Sequence, residues 1–464
     1  MKSNLLALII LVLNFHLNAQ CWKSIKSGGN QTSAIRTDGT LWLWGSNFYG
    51  QIGNGTSTLQ NTPIQVGTTN NWDKIANGGD HLIAIKQDGS LWTWGRNNFG
   101  QLGNGTTTPL NTPTQLGTAT NWQYISAQDF TLAIKTNGTL WGWGWNTNSQ
   151  LGDGTLINKL SPIQIGLAND WKIAEAGYEH SLGIKTDGTL WAFGWNGNGR
   201  LGDNTTIKRS TPIQIGNDTN WLMVSAGYDH SIGLKTDGTL WAWGRNNYGQ
   251  LGDATNLDRL SPVQIGTDND WKEISTGFSF TTALKNSGTL WAWGYNVYGN
   301  LGDNTTINKN TPTQVGTETT WQSLSTGFVH SAALKSNKTL FSWGHNLNSQ
   351  LGDASNVDKS QPVNISSSNC YPLSLDSNLP NSIVLKVYPN PAQDFIYLSY
   401  NSNHKEASKL NLTDAFGRKI ISYELKNYVN NTQLILPSLT NGLYYLQLIE
   451  NSHHTKIHKL EINN

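Results

Sequence analysis

Four histidines stand where proton-transfer or metal chemistry would be sought: His81, His180, His230 and His330. Three follow a carboxylate directly, as Asp80-His81, Glu179-His180 and Asp229-His230. An imidazole beside a carboxylate can shuttle protons, and several imidazoles together can hold zinc. Otherwise matching stretches put Gln31, Phe130 and Phe280 at the same position, and phenylalanine can do neither job. The four also lie 99, 50 and 100 residues apart, unlike the short spacings of a ligand set. A packed structural histidine is the expectation, with no catalytic residue, no metal and no cofactor. The acids Asp80, Asp129, Glu179 and Asp229 read as a solvated rim on one sector of an end face. The stretch GRNNYGQLGDATN (244–256) is glycine-rich, but it lacks the Gly-Lys-Ser/Thr ending of a phosphate loop and no helical pattern follows. Its glycines read as turn residues.

Those residues recur because the sequence recurs. Trp22, Trp72, Trp122, Trp171, Trp221, Trp271 and Trp321 open seven copies of one phrase, spaced 50, 50, 49, 50, 50 and 50. The next step lands on Tyr371, and all 21 tryptophans lie between 22 and 343. A period near fifty, rich in turn residues, indicates a propeller, solenoid or array. Within a copy, HSIGLK and TLWAWG alternate as strands joined by Thr236-Asp237-Gly238. Asp-Gly there predicts a two-residue hairpin turn with both central residues at positive φ. A further strand is expected after each SPVQIG-type stretch, with proline at its entry, and the stretch after the leading tryptophan supplies a fourth. Four strands in fifty residues make one propeller blade. Trp241 and Trp243 should share one face of their strand and Ala242 the other, so that bulky and small faces of neighbouring blades interlock.

Cys21 precedes Trp22 and Cys370 precedes Tyr371, so the two cysteines share one register position seven copies apart. In a closed ring they become neighbours, which predicts a Cys21–Cys370 disulfide clasping it.

The phrase G-x-x-H-S-x-x-L-K-x-D-G-x-L-W-x-W-G-x-N-x-x-G-Q-L-G-D, clearest at 227–253 and 177–203, resembles the repeat of the regulator of chromosome condensation family. The resemblance covers residues 22–370 and implies a seven-bladed propeller. The nucleotide-exchange activity of the family's best-known member does not carry over, because its functional residues have no match here.

Two flanking segments address export. MKSNLLALIILVLNFHLNAQ has one lysine, an unbroken run of nine apolar residues from Leu5 to Leu13 and a small-residue site, and reads as a signal peptide over 1–19. Nine apolar residues are too few to span a bilayer as a helix. Residues 371–385 read as a linker. Beyond them, Tyr388-Pro389-Asn390-Pro391, Asp414 to Gly417, Gly442-Leu443-Tyr444-Tyr445 and Lys459 to Ile462 resemble the type A C-terminal sorting domain of the type IX secretion system, over 386–464. That resemblance implies passage to the cell surface or medium by the type IX machinery. The fold class expected is all-β: a seven-bladed propeller followed by a small β-sandwich.

Net charge is +1 with 13% charged residues, which offers no basic stripe for nucleic acid. Function is expected in the positions that differ between copies. The residue before the recurrent Asn47, Asn97, Asn146, Asn196, Asn246, Asn296 and Asn346 is Ser46, Arg96, Trp145, Trp195, Arg245, Tyr295 and His345. Phe48, Tyr49, Phe99, Tyr248 and Tyr298 decorate the same loop. Tryptophan, tyrosine and arginine anchor interfaces, so a monomeric binding module for an extracellular protein or glycan is expected. Rival readings are an enzyme on extracellular polymer, using the face acids, and a nucleotide exchange factor.

Overall fold

The computed structural model describes residues 21–366 and, further on, 385–388, 392, 394–401, 408–414, 418–425, 428–450 and 453–462. The predicted signal peptide, Cys370 and Pro389-Asn390-Pro391 lie outside the described residues. The chain divides into two compact units, one ending at residue 372 and the other beginning at 373.

The first unit is seven four-stranded antiparallel sheets, each built from four consecutive strands. The first blade is β1 (Trp22–Ser27), β2 (Gln31–Arg36), β3 (Leu41–Gly45) and β4 (Gln60–Gln65), and the seventh is β25 (Trp321–Thr326) to β28 (Lys359–Asn364). The first strands of successive blades touch one another around the ring, and β25 touches β1. Among the described residues each blade is built from consecutive strands, so blade seven closes on blade one through contacts between whole blades. Phe328 N–H donates to Gly28 O at 3.1 Å, Ser27 N–H to Ser325 Oγ at 2.9 Å and Ala354 N–H to Asn61 O at 2.9 Å.

The hydrophobic core lies between blades. Seven clusters of buried residues occur in this unit among the described residues, each drawn from two adjacent blades. An open row of seven blades would have six such interfaces; the seventh joins Cys21, Trp22, Ile25, Ala34 and Trp44 to Ala332, Leu334, Leu340 and Ile365. The expected interlock is present. Trp243, with Trp241 beside it, packs among Leu182 to Ile215 of blade four, while Ala242 joins Trp271 and Trp293 of blade six. Basic residues ending the second strands cap the tryptophans: Arg36 lies 3.5 Å over Trp42 and Lys86 3.6 Å over Trp92.

Two local expectations are corrected. In the hairpin, only the glycine has positive φ (Gly39, 81°). Gly39 N–H bonds Arg36 O, and Arg36 N–H bonds Thr40 O, which makes a longer loop whose last residue is left-handed. The aspartate instead accepts: Asp38 Oδ1 takes Thr40 N–H at 2.9 Å and Thr40 Oγ1 at 2.7 Å, and that hydroxyl accepts the Trp42 indole at 2.9 Å. Lys338 occupies the left-handed position in blade seven, at φ 66°. The outer strand coincides with the SPVQIG-type stretch and does not follow it. β20 is Arg259–Gln264, with Pro262 inside. An edge strand tolerates proline because one side of its ladder faces solvent.

The histidines are structural, as expected, and they bridge blades. His81 Nε2 meets Thr131 Oγ1 at 3.0 Å, His180 meets Ser231 at 2.9 Å, His230 meets Thr281 at 3.1 Å and His330 meets Thr32 at 3.0 Å. All four are fully buried. Burial lowers the pKa of His81, His230 and His330 to about 3 and puts His180 well below its usual value.

In the second unit, β29 (Leu385–Tyr388), β30 (Phe395–Asn401) and β33 (Tyr428–Ile435) form one sheet. β31 (Ser408–Asp414), β32 (Lys419–Leu425), β34 (Gly442–Glu450) and β35 (His453–Ile462) form another. Val387, Ile396 and Leu398 of the first share a core with Leu410, Leu412, Tyr444, Leu446 and Leu460 of the second, which is a small sandwich. Tyr444 OH donates to Thr440 O at 3.0 Å, and Lys459 pairs with Tyr445 across the ladder. Among the described residues no helix is long and apolar enough to cross a membrane.

Candidate functional site

Strand order fixes what each end of the propeller displays. Hairpin turns and blade-to-blade connections share one face. The other carries the short loops after each first strand and the long loops after each third strand, such as 46–59 in blade one. The long loops on the second face vary between copies yet share one rigid frame. Buried Asn47 accepts Ile52 N–H at 2.8 Å through Oδ1, and its Nδ2 donates to Thr56 O at 3.1 Å and Thr58 O at 3.0 Å. Asn97, Asn146, Asn196, Asn246, Asn296 and Asn346 hold Leu102, Leu151, Leu201, Leu251, Leu301 and Leu351 in the same way. The fixed frame leaves the preceding residue free to vary.

Most of the sequence-predicted residues join continuous contacts on this face. Arg96 lies 3.7 Å from both Asp80 and Asp129, and 5.3 and 5.2 Å from the Tyr49 and Phe99 rings. Phe99 stacks on Trp145 at 5.7 Å, and Trp145 meets Tyr178 at 5.8 Å. Across the ring, Tyr248 meets Tyr295 at 5.1 Å, Tyr295 meets Tyr298 at 6.2 Å and Tyr298 meets His345 at 4.4 Å. Arg245 pairs with Asp229 at 3.0 Å. Trp195 stands outside both chains of contact, 39% exposed.

Two parts of the face escaped the sequence reading. Tyr178, Tyr228, Phe278 and Phe328 occupy one short-loop position in blades four to seven. They form an arc around the mouth of the central channel: Tyr178 stacks on Tyr228 at 4.0 Å, Tyr228 meets Phe278 tilted at 4.2 Å and Phe278 meets Phe328 edge-on at 6.4 Å. Gly29 and Gly79 hold that position in blades one and two, and a β-carbon on Gly79 would lie 3.9 Å from Phe328 Cζ. The arc therefore leaves only about 30 Å³ at the mouth. The signal is an aromatic directly after the loop glycine, present in only four of the repeats. The second is Arg200, a cation where other blades carry glutamine or asparagine. It is nearly buried, donates to Tyr228 O at 3.1 Å and lies 2.5 Å from Asp229 and 3.6 Å from Glu179.

The face acids are thus shared among arginines. Burial raises the pKa of Asp80, Asp129 and Glu179, while Arg96 or Arg200 pulls each back down. Behind the aromatic arc the channel widens to a cavity of about 790 Å³ between the first strands. Lys26, Tyr124 and Glu175 line it; Tyr124 OH donates to Glu175, whose carboxyl is raised by burial. Among the described residues no cluster of His, Cys, Asp and Glu could hold a metal.

Comparison with known proteins agrees with this geometry. The RCC1-like domain family matches residues 159–377, and the regulator of chromosome condensation (RCC1) repeat family matches 38–85 and 88–134. The secretion system C-terminal sorting domain family matches 386–463, which indicates export to the cell surface or secretion. No curated protein sequence matches the chain. Among solved structures, human WBSCR16 is similar at 19% identity and a TM-score of 0.64, covering 71% of this chain and 94% of that one. Prp20p from Saccharomyces cerevisiae, described with its binding to Gsp1p and histones, is similar at 19% identity and a TM-score of 0.63, covering 75% of this chain and 88% of that one. Yeast RCC1 (Prp20), in a structure with Kap60, is similar at 20% identity and the same TM-score of 0.63, with 79% and 90% covered. At such identities the likeness concerns fold alone. The chain is an RCC1-like propeller of regulator of chromosome condensation repeats, followed by a type IX C-terminal sorting domain.

Proposed function

We propose that the propeller is an extracellular binding module and that the long-loop face recognises a protein or glycan partner. One observation carries the reading: arginine and aromatic side chains occupy six of the seven copies of the variable loop position before the buried asparagine. Residues of these types anchor interfaces when a rigid scaffold presents them. Arg96, Trp145, Trp195, Arg245, Tyr295 and His345 are the proposed contact residues, with Tyr248 and Tyr298 beside them. The face acids support binding over hydrolysis, because Asp80, Asp129, Glu179 and Asp229 each lie within reach of an arginine. Binding to Gsp1p and histones belongs to Prp20p; an exported chain meets neither a nuclear GTPase nor chromatin.

The proposed division is signal peptide 1–19, propeller 22–370, linker 371–385 and sorting domain 386–464. A Cys21–Cys370 disulfide would lock the seam between blades one and seven. Cys21 supports this, buried in the one inter-blade core that joins the two chain ends. In the chain-entropy account so long a loop would contribute roughly 5 kcal/mol. Non-reducing peptide mapping should recover the two cysteines in one linked fragment; two free thiols would remove the clasp and leave the binding reading standing.

The functional test is binding of the purified protein to panels of extracellular proteins and glycans, with Trp145→Ala and Arg245→Ala tested for loss. A partner bound equally well by both variants places recognition elsewhere.

A further inference from the structure

Trp195 differs from the other arginine and aromatic residues at its loop position. Arg96, Trp145, Arg245, Tyr295 and His345 each contact a ring or an acid on the face. Trp195 stacks on no ring among the described residues, and it is the most exposed tryptophan of the propeller. What supports it is backbone. Its indole lies against Gly197, where a β-carbon would fall 2.6 Å from Nε1, 3.0 Å from Cε2 and 3.2 Å from Cζ2. The other copies place Phe48, Asn98, Thr147, Asn247, Val297 and Leu347 there. Only this copy has glycine there; Trp145, the other indole at the position, has Thr147 two residues on and packs on Phe99 and Tyr178 instead, so the glycine is what lets the Trp195 ring lie down.

The surroundings are polar. Asn198 Nδ2 donates to Asp258 Oδ2 at 3.0 Å, and its Oδ1 accepts from Arg200 at 3.3 Å. Glu179, whose backbone oxygen holds Trp195 N–H at 2.8 Å, has its carboxylate bonded by Asn148 at 2.8 Å. A protein anchor sits in a well-packed pocket whose surrounding contacts exclude water, whereas Trp195 stands 39% exposed with no ring packed on it among the described residues. A flat indole among amides and carboxylates matches instead a molecule with one apolar face and a hydroxyl-bearing edge. A pyranose ring has that shape: its axial C–H bonds stack on an aromatic face while its hydroxyls reach polar side chains. The carboxylates of Glu179 and Asp258 disfavour an acidic sugar.

We propose that Trp195, laid on Gly197, is a stacking platform for a neutral hexose unit of an extracellular polysaccharide. This rests on the binding reading above and names its ligand class.

The test is affinity electrophoresis of the full-length protein through gels containing soluble β-glucan, α-glucan, xylan or galactomannan, with thermal melts of each variant. The wild type is expected to be slowed by at least one of these. Trp195→Ala should weaken that binding about tenfold or more, roughly what losing one aromatic contact removes. Gly197→Val should do the same with the indole still present, because its side chain lifts the ring from its seat. Leu167→Ala, at an exposed position in a blade-to-blade connection on the opposite face, should retain the binding. Failure of all four polymers to slow the wild type overturns the platform, as does equal binding by Trp195→Ala. A variant that loses saccharide binding and also melts early is read through Trp195→Phe, which should restore binding on an intact fold. A protein partner that needs Trp145 and ignores Trp195 would sink the platform while sparing the wider binding role.

Discussion

Acidification should weaken the propeller through its blade-bridging histidines, by an amount the structure allows to be worked out. In the unfolded chain each histidine takes up a proton near 6.5; in the fold His81, His230 and His330 do so only near 3. Folded-state values are depressed, so the unfolded chain binds more protons throughout that window. Stability is therefore full above pH 6.5 and falls as the pH drops below it, levelling only near 3. At pH 5 each histidine costs about 2 kcal/mol, at roughly 1.4 kcal/mol per pH unit, so these three cost about 6 kcal/mol together. His180 adds in the same direction. The substitution that isolates the effect is already present in the molecule: blades three and six use Phe130 and Phe280, each fully buried. The neighbouring hydroxyls Ser181 and Ser331 keep a partner there, donating to Gln150 O at 2.7 Å and Asn300 O at 2.9 Å. His81→Phe, His230→Phe and His330→Phe should each remove about 2 kcal/mol of the loss between pH 7 and 5, measured by urea denaturation at both pH values. A triple variant with the pH dependence of the wild type would refute the reasoning.

Further predictions concern the places where copies disagree. Blades three to seven pair Asp153, Asp203, Asp253, Asp303 and Asp353 with Lys159, Arg209, Arg259, Lys309 and Lys359, whereas Asn54 and Asn104 sit opposite Gln60 and Leu110. Although burial pushes Asp203 up, hydrogen bonds from Thr205, Arg209 and Asn196 outweigh it and hold the carboxyl below its usual value. Asp203→Asn should cost ~1 kcal/mol in thermal unfolding at pH 7, and adding Arg209→Gln, which copies blade one, should recover part of it. Phe341 is the one residue at its position that cannot reach its threonine hydroxyl; Phe341→Trp should restore the bond and raise stability by up to ~1 kcal/mol on the same assay.

The fold was legible because the fifty-residue period, the alternating strands and the equivalent cysteine positions all describe one ring. What was read locally was less secure. Asp-Gly by itself implies a turn with two left-handed residues, but the aspartate accepts from Thr40 and keeps an ordinary φ. Proline was placed at a strand entry, whereas on an outer edge it sits inside the strand at no cost to the ladder. The histidines were rightly placed in the core, yet their partners lie 50 residues away on the next blade and left no local mark. The aromatic arc was missed because only four copies carry it. Gly197 looked like another turn glycine; its purpose shows only against the Trp195 ring.

One scan addresses the central claim, that recurring residues build the ring and differing residues recognise the partner. Trp143→Ala and Trp243→Ala, at recurrent buried positions, are compared with Trp145→Ala and Trp195→Ala for melting temperature and for retention by the bound ligand. The first pair should lose about 3–5 kcal/mol of stability each. The second pair should melt within a degree or two of the wild type while at least one of them loses the ligand. Early melting by Trp145→Ala and Trp195→Ala, with ligand binding unchanged in what remains folded, would contradict it.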